Sequence, residues 1–130
     1  MSVRALAALL FVLIADDALA NDRFFDPTSG RPVAISKQQF AAVRAAVVDT
    51  YSSQNKDSVE ILRADAARDA NGKLLVCTVS SVKKTSGTYG PLNFITVTLS
   101  PTGERLGTYG ARVNFEICRK AHVNLHFQVR

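Results

Sequence analysis

Cys77 and Cys118 are the residues of this 130-residue sequence with the most definite chemistry. They stand 41 positions apart with no C-x-x-C between them, which suits a structural cross-link better than a redox pair. Bonded, they tie a central strand to the last third of the chain. The chain-entropy account gives such a loop up to about 4 kcal/mol of stabilisation. Cys118, His122 and His126 also form a C-x3-H-x3-H series. On one continuous helix that spacing puts three metal ligands along one face. A metal site competes with the cross-link for the Cys118 thiolate, and no acidic residue in the series offers a fourth ligand. The sequence is therefore read as holding no metal and no cofactor, with Cys118, His122 and His126 as the alternative. Serines, histidines and aspartates are present, but no G-x-S-x-G elbow marks a nucleophile. Asp65 and Asp69 flank Asn71-Gly72 and read as solvated turn residues, so no catalytic residue is assigned.

Basic residues outnumber acidic ones by 16 to 11, a formal charge of +5. Lys83-Lys84 and Arg119-Lys120 are the adjacent basic pairs. Neither is interleaved with aromatic residues, which speaks against nucleic acid as a partner. Solubility accounts for the charge, and attraction to acidic partners or an anionic envelope surface is the sharper reading. Gly-Thr-Tyr-Gly occurs twice, at 87–90 and 107–110, each copy followed shortly by Asn-Phe. Glycines beside a tyrosine allow tight turns that leave the ring at a surface. Tyr89, Tyr109, Lys83 and Lys84 are thus the candidate binding surface.

The elements that must position these residues begin with a helix. Ser36 and Gln39 have the spacing of a capping box, and Ile35 and Phe40 that of a hydrophobic staple. Phe40, Val43, Val47 and Tyr51 then recur at helical spacing, which predicts one long helix fading in the polar run 52–55. From Asp57 the pattern changes to strands. Val59 to Ala67 is the first, and Asn71-Gly72 predicts a two-residue hairpin turn. Leu74 to Val82 is β-rich, with Leu75, Cys77 and Val79 sharing a face. Leu92 to Leu99 follows a polar loop, and a return strand begins near Glu104 after the turn at 100–103. Residues 111–121 suit either a strand or a short helix, with the helix preferred. Val123, Leu125, Phe127 and Val129 alternate with polar residues as in a half-buried strand. The fold expected is α+β: one long N-terminal helix packed on an antiparallel sheet of four to five strands, with a short second helix before the C-terminal strand.

The start of the chain reads as an export signal. Arg4 precedes an apolar run from Ala5 to Ala15, and Ala18-Leu19-Ala20 supplies small residues for cleavage. Residues 1–20 are therefore expected to be removed, leaving a loose arm at 21–35 and one domain at 36–130. The remaining chain carries 15 basic and 9 acidic residues, a charge of +6. No apolar run is long enough to span a membrane. Export favours a disulfide, and the location expected is the periplasm or the medium.

Val76-Cys77-Thr78-Val79, then Gly87-Thr88-Tyr89-Gly90 and Phe94, resembles a group of small exported bacterial proteins with a VCGxVNxKNxxGxYxGxxxF motif. The preceding helix and Lys56-Asp57-Ser58 match that layout, so the resemblance covers roughly 40–94. Thr78 stands where the group has glycine, and Ser81 where it has asparagine. The resemblance implies export and a compact fold, and it carries no catalytic role. The function expected is a non-enzymatic binding domain for a protein or envelope partner, with a small exported enzyme or enzyme inhibitor as the alternative.

Overall fold

The computed structural model describes residues 24–121 and 123. The proposed signal at 1–20, His122, and all but Val123 of the strand expected over 123–130 lie outside the described residues. Five strands form one antiparallel sheet: β1 (Arg31–Val33), β2 (Val59–Arg68), β3 (Leu74–Val82), β4 (Asn93–Leu99) and β5 (Arg105–Tyr109). They neighbour one another in sequence order, so the sheet is a plain meander with β3 at its centre. Two helices accompany it, α1 (Lys37–Val48) and α2 (Ala111–Lys120).

This corrects the α+β expectation of one long helix on a sheet. Among the described residues the sheet is the larger part, and α1 has only 12 residues. Its start is the capping box read from the sequence: the Ser36 hydroxyl accepts from the Gln39 N–H at 3.1 Å, and the Gln39 side chain accepts from the Ser36 N–H at 3.0 Å. Its end comes before the last stripe residue. The Thr50 hydroxyl bonds the Val47 carbonyl at 2.7 Å, so a side chain competes for the backbone as the polar run begins. Tyr51 leaves the helix and shares a 2.8 Å hydrogen bond with Ser80 on β3.

A second correction concerns the layers. Both faces of the sheet are covered, not one. Val43, Ala46 and Val47 of α1 pack with Val59, Leu74, Val76, Ile95, Val97 and Leu99 on one face. On the other, Ala67, Leu75 and Cys77 pack with Cys118, Ala121 and Val123, and with Phe25 and Ile117 at the margin. That explains why β3 is buried from Leu74 to Ser81 with no solvent-exposed face of its own.

Within the expected loose arm, the described residues from Phe24 to Val33 are tied to the rest of the domain. Arg31–Val33 pairs with Ala66–Arg68 as an edge strand. Just before it, the buried Lys73 ammonium donates to the Phe24 carbonyl at 2.6 Å. The Asp69 carboxylate accepts from the N–H groups of Asp26, Asn71 and Lys73 at 2.9–3.0 Å. Asp69 is thus the hub of a buried network, not a solvated turn residue.

One turn design closes all three long hairpins. In each, a glycine donates to the carbonyl three residues earlier: Gly72 to Asp69, Gly87 to Lys84 and Gly103 to Ser100, at 2.9–3.1 Å. In each, that first residue donates in turn to the carbonyl four residues on, at Lys73, Thr88 and Glu104. The three glycines have φ of 85°, 85° and 92°, a left-handed conformation that side chains disfavour. Three-residue loops ending in such a glycine replace the two-residue turn expected at Asn71-Gly72.

Candidate interaction surface

Cys77 sits on β3 opposite Asp65 of β2 and Thr96 of β4, facing away from α1. Cys118, on α2, reaches it, and the two form a disulfide with Cα atoms 6.4 Å apart. Both cysteines are 1% exposed, and the Thr96 hydroxyl lies 3.7 Å from the Cys118 sulfur. The bond fixes α2 to the sheet and takes Cys118 out of the Cys118, His122, His126 series. His122 and His126 lie outside the described residues. Among the described residues, no group of three His, Cys, Asp or Glu side chains could hold a metal ion.

Lys83, Lys84 and Tyr89 are brought together at the tip of the β3–β4 hairpin. Lys83 and Tyr89 form a backbone bridge, and Lys84 closes the loop through Thr88. Two further ties hold the tip. The Ser81 hydroxyl donates to the Gly90 and Pro91 carbonyls at 2.9 and 3.2 Å, and the Lys83 N–H donates to Ser58 at 2.8 Å. Tyr89 remains 41% exposed, a large ring at the surface of a well-tied loop.

Glu60 on β2 organises this cluster. The Tyr89 hydroxyl donates to one of its carboxylate oxygens at 2.6 Å, and the Lys83 ammonium lies 3.7 Å from the other. That hydrogen bond, with desolvation and the carboxylate charge adding to it, holds the Tyr89 phenol above its ordinary pKa. Beside the cluster, at the start of β2, lies a cleft of about 550 Å³. Arg44 of α1, Lys83, Lys84, Asp57 and Glu60 line it. Arg44 contributes only a 3.5 Å contact to the Val59 carbonyl.

Tyr109 belongs elsewhere. It lies on β5 and lines a mainly apolar cavity of about 320 Å³ with Phe24, Phe25, Leu75 and Ile117, over the disulfide face. The two Gly-Thr-Tyr-Gly copies therefore do different jobs: the first is a hairpin tip, while Gly107 to Tyr109 is strand. Glu60 and Arg44 were not among the residues singled out from sequence. Glu60 was findable from strand pairing, since it stands opposite Ser81 and so beside Lys83 on the next strand. Arg44 was not, because its place depends on how α1 crosses the sheet.

A larger groove, about 790 Å³, runs beside β2 between the β1–α1 link and Ile61 to Ala66. It meets the cleft at Ile61. Leu62 occupies a β-bulge there, between Ile61 opposite Ser80 and Arg63 opposite Val79, and is 42% exposed. Arg63 is bonded to Asp65 at 2.6 Å. Among the described residues, no helix is long and apolar enough to cross a membrane. The disulfide is compatible with an exported protein. No protein-family model, curated protein or solved structure matches this chain.

Proposed function

We propose that this chain is an exported, non-enzymatic interaction domain that binds a protein partner around Tyr89, Lys83, Lys84 and Glu60. The observation that carries the reading is the exposed Tyr89 ring, held over Glu60 at the tip of a tightly bonded hairpin. A tyrosine offers a large, amphipathic contact area at small entropic cost, and pre-ordering the loop lowers the cost of binding further. The interior supports a binding surface over a deep active site. Val43 and Val47 are fully buried where α1 meets the sheet, so that layer is filled by side chains. Export is supported by the leader pattern at 1–20, by the buried disulfide and by the resemblance of 76–94 to small exported proteins.

A photo-crosslinking amino acid at position 89, with the same group at Thr102 on the opposite hairpin as control, tests the reading in exporting cells. The expected result is one dominant protein adduct from position 89 and none from position 102. The adduct's protein, once purified, then binds the unmodified domain, and Tyr89→Ala weakens that binding at least about tenfold. Equal adducts at both positions, or a purified partner indifferent to Tyr89, would contradict it.

A further inference from the structure

The charge around the cleft says what kind of group the surface receives. Three cations, Arg44, Lys83 and Lys84, and two carboxylates, Asp57 and Glu60, line it. These charges are not equally available. Glu60 is engaged twice, by the Tyr89 hydroxyl and by the Lys83 ammonium. Arg44 and Lys84 have no carboxylate within 4.0 Å among the described residues, and both are exposed. Asp57 has no cation within 4.0 Å among the described residues. Two unmatched cations from different elements, α1 and the β3–β4 tip, therefore share the cleft with one unmatched carboxylate, while the other carboxylate, Glu60, is already partly neutralised.

We infer that the cleft between Arg44 and Lys84 receives the carboxylates of an acidic segment of the protein partner. This inference rests on the interaction surface proposed above and adds the partner's chemistry. An acidic side chain placed there meets Arg44 and Lys84 against the single unmatched carboxylate of Asp57 and displaces no native ion pair, while a basic one meets Arg44, Lys83 and Lys84 with only Asp57 unmatched. Complementary charge of this kind sets partner choice and association rate, and salt screens it. Ser58 and Thr85 also line the cleft and add hydroxyl groups able to donate to a carboxylate.

The test uses a fluorescein-labelled hexaglutamate peptide and the disulfide-bonded domain, read by fluorescence anisotropy. Arg44→Glu/Lys84→Glu is expected to lower affinity tenfold or more. Arg31→Glu/Lys37→Glu makes the same change of net charge at two exposed residues elsewhere, and is expected to change affinity less than threefold. Glu60→Gln removes one of the two carboxylates lining the cleft, frees Lys83, and is expected to raise affinity severalfold. Equal losses from the two double variants would overturn the inference, because diffuse charge then accounts for binding. So would no hexaglutamate binding, displacement by inorganic phosphate at equal charge, or preferential retention on vesicles of anionic phospholipid. If crosslinking at position 89 still yields a partner in those cases, the interaction surface stands and only its acidic specificity fails.

Discussion

At the scale of single residues, Asp69 does more than its sequence context suggests. It is 5% exposed and accepts three backbone N–H groups, joining the segment at Asp26 to the β2–β3 turn. Asp69→Ala strands those donors and is expected to cost about 3 kcal/mol in urea unfolding, against under about 1 kcal/mol for Asp57→Ala on the surface. Tyr89 gives a second prediction. Its folded pKa lies above the unfolded value because Glu60 accepts from the phenol. The stabilising contribution is therefore complete below the ordinary phenol range and is lost as pH rises through the raised value. Absorbance titration is expected to show one tyrosine ionising late in the wild type, and Glu60→Gln to restore ordinary titration. A late tyrosine that persists in Glu60→Gln would assign the shift to another residue. The chemistry of Cys77 and Cys118 was legible from sequence because only side-chain type and compartment enter that argument. The role of Asp69 was not, because one of its three donors, Asp26, lies 43 residues away.

At the scale of elements, the glycine at the end of each hairpin loop decides the local fold. Gly72, Gly87 and Gly103 share positive φ and the same pair of backbone hydrogen bonds. Alanine at any of them is expected to cost about 1 kcal/mol, while Gly110, with φ of −86°, tolerates alanine within about 0.5 kcal/mol. Thermal unfolding of the four variants checks this, and equal effects at all four would sink it. The start of α1 was legible because Ser36 and Gln39 cap it locally. The irregularity of β2 was not. Val59 and Ile61 face α1, and after the bulge at Leu62 so do Ala64 and Ala66. One inserted residue thus moves the inward positions from odd to even numbers, which removes the simple alternation by which a strand is read. The helix was overestimated for a similar reason. Tyr51 continues the stripe in sequence, yet its hydroxyl belongs to Ser80 and Asn93 across the sheet edge.

At the scale of the whole molecule, the sheet is a shared wall between two unequal cores. The α1 side is an extended aliphatic layer, while the other side is a smaller cluster around the disulfide. The smaller core has less apolar area to hold α2, so the cross-link carries more of that side's stability. Replacing both cysteines with alanine is expected to cost up to about 4 kcal/mol, read as a lower urea midpoint. Amide exchange is expected to accelerate first in α2 and near Phe25, with β3 and β4 still protected. Uniform acceleration would instead show that the two cores unfold as one. Two-sided burial was hidden in the sequence because the covering residues, Phe25 and Cys118, lie far from β3 along the chain. The Tyr89 ring is exposed and belongs to neither core, so truncating it is expected to leave both cores in place. The most direct test of the account is therefore the affinity of the crosslinked partner, purified, for Tyr89→Ala and for Tyr109→Ala. Tyr89→Ala is expected to bind at least about tenfold more weakly than the wild type, and Tyr109→Ala within about twofold. A loss confined to Tyr109→Ala would place the partner on the disulfide face and contradict the account.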